Sequence, residues 1–220
     1  LIKRDIEVES LFYEMINILE SNGEELLADN VIFQCNKLGY QSKNIINKQR
    51  EKLAKKIINK YAWITSGVII LNPLPAADYL AASAINVQMV LEVAKIYGVK
   101  LSKENALVLT KKIIGVLTTL GIVKSGLNLI TNFLSLNFTT QFINKSAQAI
   151  TAAWIIRIVG LSFIEYFQQN QNWGDGGIID VVQNVYNINK KEEILNNFIE
   201  KAINKLKKTR ISSPRKKLPP

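Results

Sequence analysis

The stretch from Tyr61 to Asp78, YAWITSGVIILNPLPAAD, constrains the fold more than any other. Its apolar run ends at Leu71 and is broken by Asn72-Pro73-Leu74-Pro75. Proline lacks the backbone donor and collides with the preceding helical turn, so one helix cannot continue through this point. Pro75 nevertheless suits the first turn of a new helix, where its missing N–H would be unpaired anyway. The segment that follows, 76–97, is rich in small residues (Ala76, Ala77, Ala81, Ala82, Ser83, Ala84), which let helices approach closely. The expectation is a helical hairpin broken at an NPLP turn.

Elsewhere, sustained alternation of apolar and polar residues is missing and helical periodicity dominates. Residues 6–20, 24–38 and 41–60 each place an apolar stripe at helical spacing, with Gly23 suited to end the first. Gly98 suits the end of the helix after Pro75, and Ser102 can cap the next, over 103–120. Further helices are expected up to Asn144, over 145–169, over 178–187 and over 190–208, with NQNWGDGG as a loop. The expected fold is all-α, a multi-helix bundle with hydrophobic central helices. The expected organisation is acidic helices over 1–39, a helical domain over 40–208 and a disordered basic tail over 209–220.

Charge divides the chain. The net charge is +10, yet residues 1–30 hold eight acids against Lys3 and Arg4. Residues 43–60 hold seven bases against Glu51, and eight bases with no acid follow from Lys201 to the end. Between these flanks, residues 62–94 carry only Asp78 and Glu92, and residues 125–144 carry no charge. Abundant Ile, Lys and Asn point to an AT-rich genome of plastid or bacterial type. Lys52, Lys55, Lys56, Lys60, Lys207 and Lys208 are candidate contacts for anionic lipid headgroups, which attract bases near a bilayer surface. No interleaving of bases with aromatics suggests nucleic acid.

A membrane-spanning helix needs about 20 largely apolar residues. The run from Tyr61 is too short before its prolines, 76–94 carries polar and acidic residues, and 146–164 carries Arg157 at its centre. No clean span is read from the sequence. Intermediate hydrophobicity, basic flanks and aromatics near segment ends (Tyr61, Trp63, Trp154, Tyr166, Phe167) suit a domain that docks on or partly inserts into a bilayer. Tyr61, Trp63, Ile69, Ile70, Leu71, Pro73, Leu74 and Pro75 are the candidate membrane contacts. Both flanks of 61–94 are basic, so both would stay on one cytoplasmic or stromal face. The opening residues are acidic rather than basic-then-apolar, so no secretory signal is read there. The alternative is a water-soluble helical scaffold that binds a protein partner.

Histidine is absent, which removes imidazole acid–base catalysis and histidine metal ligation. Cys35 is the single cysteine and has no partner for an internal disulfide or a thiolate metal site. Gly174-Asp175-Gly176-Gly177 lacks the Lys-Ser or Lys-Thr that a phosphate loop requires at the head of a helix, and Lys124-Ser125 has Gly121 at the wrong spacing. Asp78, Lys124 and Arg157 read as structural charges, with Asp78 pairing with Arg157 or Lys124, and Asn86 and Gln88 as polar pairs across helices. No catalytic residue, metal ligand or cofactor site is expected.

Two stretches carry a resemblance: YAWITSGVIILNPLPAADYLAASAINVQMVLEVAKIYGV (61–99) and GLSFIEYFQQNQNWGDGGIIDVVQ (160–183). With the helices between them, over about residues 40–206, they resemble the domain-of-unknown-function 697 family, especially its cyanobacterial and plastid members. The aromatic-Trp entry, the PLP break, Asp78 and Asn86-Val87-Gln88-Met89 carry it. The resemblance implies a membrane-associated helical domain C-terminal to an Era-like or dynamin-like GTPase domain. The acidic helix from Asp5 to Glu20 is similar to the closing helix of such a GTPase. No phosphate loop, switch Thr, DxxG or NKxD occurs in these residues. The expected partners are therefore anionic membrane lipids and a GTPase domain in cis or trans, with a second copy of the chain open as another partner and no nucleic acid. The opening Leu1 suggests a piece of a longer protein.

Overall fold

Apolar positions recurring every three or four residues, with Pro75, Gly98, Gly121, Gly174 and Gly176 at joints, build this chain from helices. The computed structural model has α1 (Val8–Leu71), α2 (Pro75–Ile96), α3 (Lys103–Thr119), α4 (Ile122–Asn137), α5 (Thr140–Gln168), α6 (Gly177–Asn189) and α7 (Glu192–Ser212). No strand occurs among the described residues, so the all-α expectation is borne out. The backbone is described for residues 8–71, 75–137 and 140–212, and the side chains for 8–67, 84–136 and 146–205. The break between α1 and α2 falls at the prolines, and Pro75 opens α2 as its fixed φ favours.

The chain forms two compact units, Leu1–Gln49 and Arg50–Pro220. The division lies later than the 39/40 boundary read from the sequence. In the first unit, α1 kinks at Asn22 (φ −132°, ψ 16°), beside the helix end expected near Gly23, but the end expected near Leu38 is missing. The physical reason is that Gly39 does not take the left-handed conformation that closes a helix. Between Val8 and Gln49 no residue is buried. Phe12, Leu19, Leu27, Phe33 and Leu38 are 59–64% exposed.

In the second unit α5 is central and packs against α2, α3, α4, α6 and α7. It contributes Ile150, Trp154, Ile158 and Phe163 to the core, which also takes Ile58 from α1, Met89 from α2, Ile113 and Leu117 from α3, Ile130 and Leu134 from α4, and Ile199 from α7. Each such side chain stabilises by roughly 1.5–3 kcal/mol when fully buried. At Gly160 the helices meet so closely that a Cβ would lie 2.5 Å from Ile58 Cγ1. Gly98 (φ 75°) closes α2 in the left-handed region. The Ser102 side chain then accepts from the Asn105 backbone N–H at 3.1 Å, capping α3 as expected. After α5 the loop is pinned by Trp173, whose ring stacks on Tyr166 with centroids 4.3 Å apart.

Ser146–Gln168 is long and apolar enough to cross a membrane, although the sequence reading found no clean span. Most of this segment, 72%, is buried inside the structure, as befits the central helix of a bundle. Lys103–Thr119 and Ile122–Leu136 meet the same test together, but they are bent by 65° at their joint.

Candidate functional site

The chemistry that stands out is a cation inside an apolar helix. Arg157 interrupts the run AAWIIRIVG, and α5 carries it toward the side where α1, α6 and α7 pack. Its Nη1 donates to Asn59 Oδ1 at 3.1 Å, and its Nε donates to Asn189 Oδ1 at 3.3 Å. Asn189 is itself buried and donates through Nδ2 to the Val185 carbonyl at 2.8 Å, which fixes the direction of its acceptor. Burial pushes the Arg157 pKa down from its ordinary value, and no neighbouring charge contributes to the shift. Among the described residues no carboxylate lies within ion-pair distance of it. Neutral amide oxygens therefore orient this cation without neutralising it.

Arg157 lines a cavity of about 410 Å³ whose wall is a stack of aromatic rings and cations. The Arg157 guanidinium lies 5.9 Å from the centre of the Phe198 ring, which stacks on Trp63 at 5.5 Å. Lys205 Nζ sits 4.9 Å from the Trp63 ring centre. Cations placed over aromatic faces are held electrostatically, by roughly 0.5–2 kcal/mol each. Lys201 also lines the cavity, with Glu193 as its one lining carboxylate. The expected pairing of Asp78 with Arg157 or Lys124 falls on a side chain, that of Asp78, outside the described residues, and Lys124 itself is exposed.

A second polar cluster joins α1 to α2. Tyr61 is buried and its hydroxyl donates to Glu92 Oε1 at 2.5 Å, while Lys60 Nζ lies 3.6 Å from Glu92 Oε2. Burial, reinforced by Glu92, pushes the Tyr61 pKa up to about 12. The Tyr61 hydrogen bond is the main reason that the Glu92 pKa is lowered, with Lys60 acting in the same sense. Tyr61 is thus a core residue of this fold, and Trp63 is committed to Phe198. Gln88 is exposed and contributes to the same cluster. Asn86 is buried with Oδ1 unpartnered among the described residues, as are the hydroxyls of Thr65 and Ser66.

Of the proposed lipid-facing lysines, Lys55 pairs with Glu51 and Lys60 with Glu92. Lys52 and Lys56, one helical turn apart, are exposed and have no ion pair among the described residues. The side chains of Ile69, Ile70, Leu71, Pro73, Leu74, Pro75, Lys207 and Lys208 lie outside the described residues. Sequence reasoning missed Asn59, Asn189 and Phe198, because nothing local distinguishes them from solvent-facing asparagines and an ordinary core aromatic. Lys201 and Lys205 were legible only as members of the basic C-terminal stretch. Among the described residues no group of three His, Cys, Asp or Glu is placed to hold a metal ion.

Comparison with known proteins is consistent with this helical site. The chain is 22% identical over 118 residues to a UPF0283 membrane protein of Vibrio campbellii, covering 54% of this chain and 34% of that protein. It is 33% identical over 58 residues to a UPF0283 membrane protein of Vibrio parahaemolyticus, covering 26% of this chain and 17% of that protein. The chain therefore spans about a third or less of the curated relatives it matches. No solved structure matches it. The family model for the domain of unknown function DUF697 matches residues 33–191, most of the chain, including the break between α1 and α2, Asn59, Arg157 and Asn189. By this match the chain belongs to the DUF697 family.

Proposed function

We propose that this chain is a non-catalytic helical module that docks on anionic membranes and acts as the effector domain of a GTPase. The observation that carries the docking is the one-sided charge on α1 within the second unit. Between Arg50 and Lys60, five bases face one acid, and Lys52 and Lys56 stand exposed on one turn without ion pairs among the described residues. Near an anionic leaflet each such base contributes about 1 kcal/mol, within a Debye length of about 8 Å at physiological salt. The relatives' description as membrane proteins supports the same reading. The GTPase partner, in cis or trans, follows from the family resemblance in the absence of any nucleotide motif in these residues.

Flotation with vesicles tests this. Binding is expected to phosphatidylserine-containing vesicles and not to neutral phosphatidylcholine vesicles, with release at high salt. Lys52→Glu with Lys56→Glu should weaken binding by at least tenfold, since two favourable terms become repulsive. Equal recovery on neutral and anionic vesicles, or no recovery on either, sinks the docking mechanism. The GTPase coupling predicts that a cognate GTPase raises vesicle recovery with GTP over GDP, and equal recovery refutes that part alone. A second reading, a scaffold for a protein partner, is favoured by the exposed apolar side chains between Val8 and Gln49.

A further inference from the structure

The arrangement around Arg157 is more than a fold needs from an arginine. A half-buried cation that among the described residues is held by neutral amides and an aromatic ring, with no carboxylate, keeps much of its desolvation cost, and an anion beside it would offset that cost. Arg157 also opens onto a cavity that Lys201 lines from α7. Asn59 and Asn189 grip the guanidinium and Phe198 lies against it, so little side-chain freedom remains to be lost when a ligand arrives. Its five N–H donors exceed the two that these asparagines accept, and its planar fork matches phosphate oxygens.

We propose that this cavity binds a terminal phosphate (a phosphomonoester, not a phosphodiester) borne by an organic ligand, with Arg157 as the central contact and Lys201 as the second cation, at its rim. At about 410 Å³ the cavity is far larger than inorganic phosphate and falls within the range of small-molecule sites. The Trp63 and Phe198 rings supply an apolar wall for the ligand's remainder. Phosphate recognition stands on the pocket alone. Only the assignment of that phosphate to a lipid headgroup rests on the membrane reading above; a soluble phosphate ester shares the same chemistry.

The test uses the full chain and three probes: phosphatidic acid vesicles, phosphatidylserine vesicles at matched surface charge, and glycerol phosphate in solution. Wild type should prefer phosphatidic acid by about tenfold, the worth of one charge-assisted contact. Arg157→Gln should erase that preference while leaving phosphatidylserine binding intact. Lys201 is exposed, so Lys201→Glu keeps the test valid if Arg157→Gln fails to fold, and it should also erase the preference. Lys52→Glu with Lys56→Glu should weaken both vesicle types alike and preserve their ratio. Glycerol phosphate should alter tryptophan fluorescence in wild type but not in Lys201→Glu, since Trp63 lines the cavity. That response without any vesicle preference supports the phosphate site and assigns it to a soluble ester, overturning the lipid source. Failure to bind any vesicle defeats the membrane reading, and the fluorescence response still decides the pocket. No preference and no response, or variants that behave as wild type, overturn the proposal.

Discussion

Replacing Gly160 with alanine separates packing from helix propensity in the central helix. In an open helical position this change stabilises by about 0.5–1 kcal/mol, because glycine loses more backbone freedom on folding. Gly115 in α3 is such a position, since a Cβ added there would have nothing within 4 Å and its φ lies outside the left-handed region. At Gly160 the new methyl would meet Ile58 Cγ1 at 2.5 Å and Cδ1 and Cγ2 at 2.9 Å, where carbon atoms prefer roughly 3.5–4 Å. Ile58 is 1% exposed and stiff at χ1, so it cannot swing aside. Overpacking of this kind costs about 1–3 kcal/mol. Gly160→Ala should therefore lie about 1–3 kcal/mol below Gly115→Ala, or roughly 2–12 °C in Tm for a domain of this size. Thermal and urea unfolding followed by circular dichroism would read the difference. A cycle with Ile58→Ala adds a check: the new methyl should occupy space that the truncation empties, so the two changes should cost less together than their sum. Equal stabilisation by the two glycine replacements would refute the close approach of α1 and α5.

Three further outcomes follow from local interactions. Thr65→Val should raise stability by about 1 kcal/mol in urea unfolding, because Thr65 is buried and its hydroxyl has no partner among the described residues. Ser102→Ala should lower stability by about 1 kcal/mol in the same assay by removing the cap on Asn105 N–H. The Tyr61–Glu92 pair should make stability fall at both pH extremes. Glu92 has a lowered folded pKa, so its contribution is present above the ordinary carboxylate value and is lost as pH falls below it. The Tyr61 pKa rises to about 12, so its contribution is present below pH 10 and is lost as pH rises from 10 toward 12. Tyr61→Phe should flatten the alkaline limb, and an unchanged limb would refute the assignment.

What was legible before the structure was local. Pro75 opens a helix because its ring fixes φ there, Gly98 closes one because it tolerates a positive φ, and Ser102 caps the next through a bond three residues away. The helix end expected near Gly23 falls at the adjacent Asn22, where the backbone leaves helical φ/ψ, whereas the one expected near Leu38 is missing because Gly39 permits a helix end without imposing one, and α1 continues to Leu71. Arg157 was visible as an isolated charge, but its partners were not. Among the described residues its acceptors are neutral amides contributed by α1 and α6, and the Asp78 side chain lies outside those residues.

The sequence by itself determined the all-helical class, the break at the prolines and the polarity of charge along the chain. These depend on backbone sterics and on periodicities of a few residues, which neighbouring side chains already encode. Tertiary structure alone decided that Tyr61 is a core residue, that Trp63, Phe198 and Arg157 form one wall, and that Asn59 and Asn189 converge on a single guanidinium. Asn59 lies 98 residues from Arg157 and Asn189 lies 32 away, so only helix packing brings them together. Burial then gives those amides their weight, because a hydrogen bond to a cation matters most where water no longer competes for it.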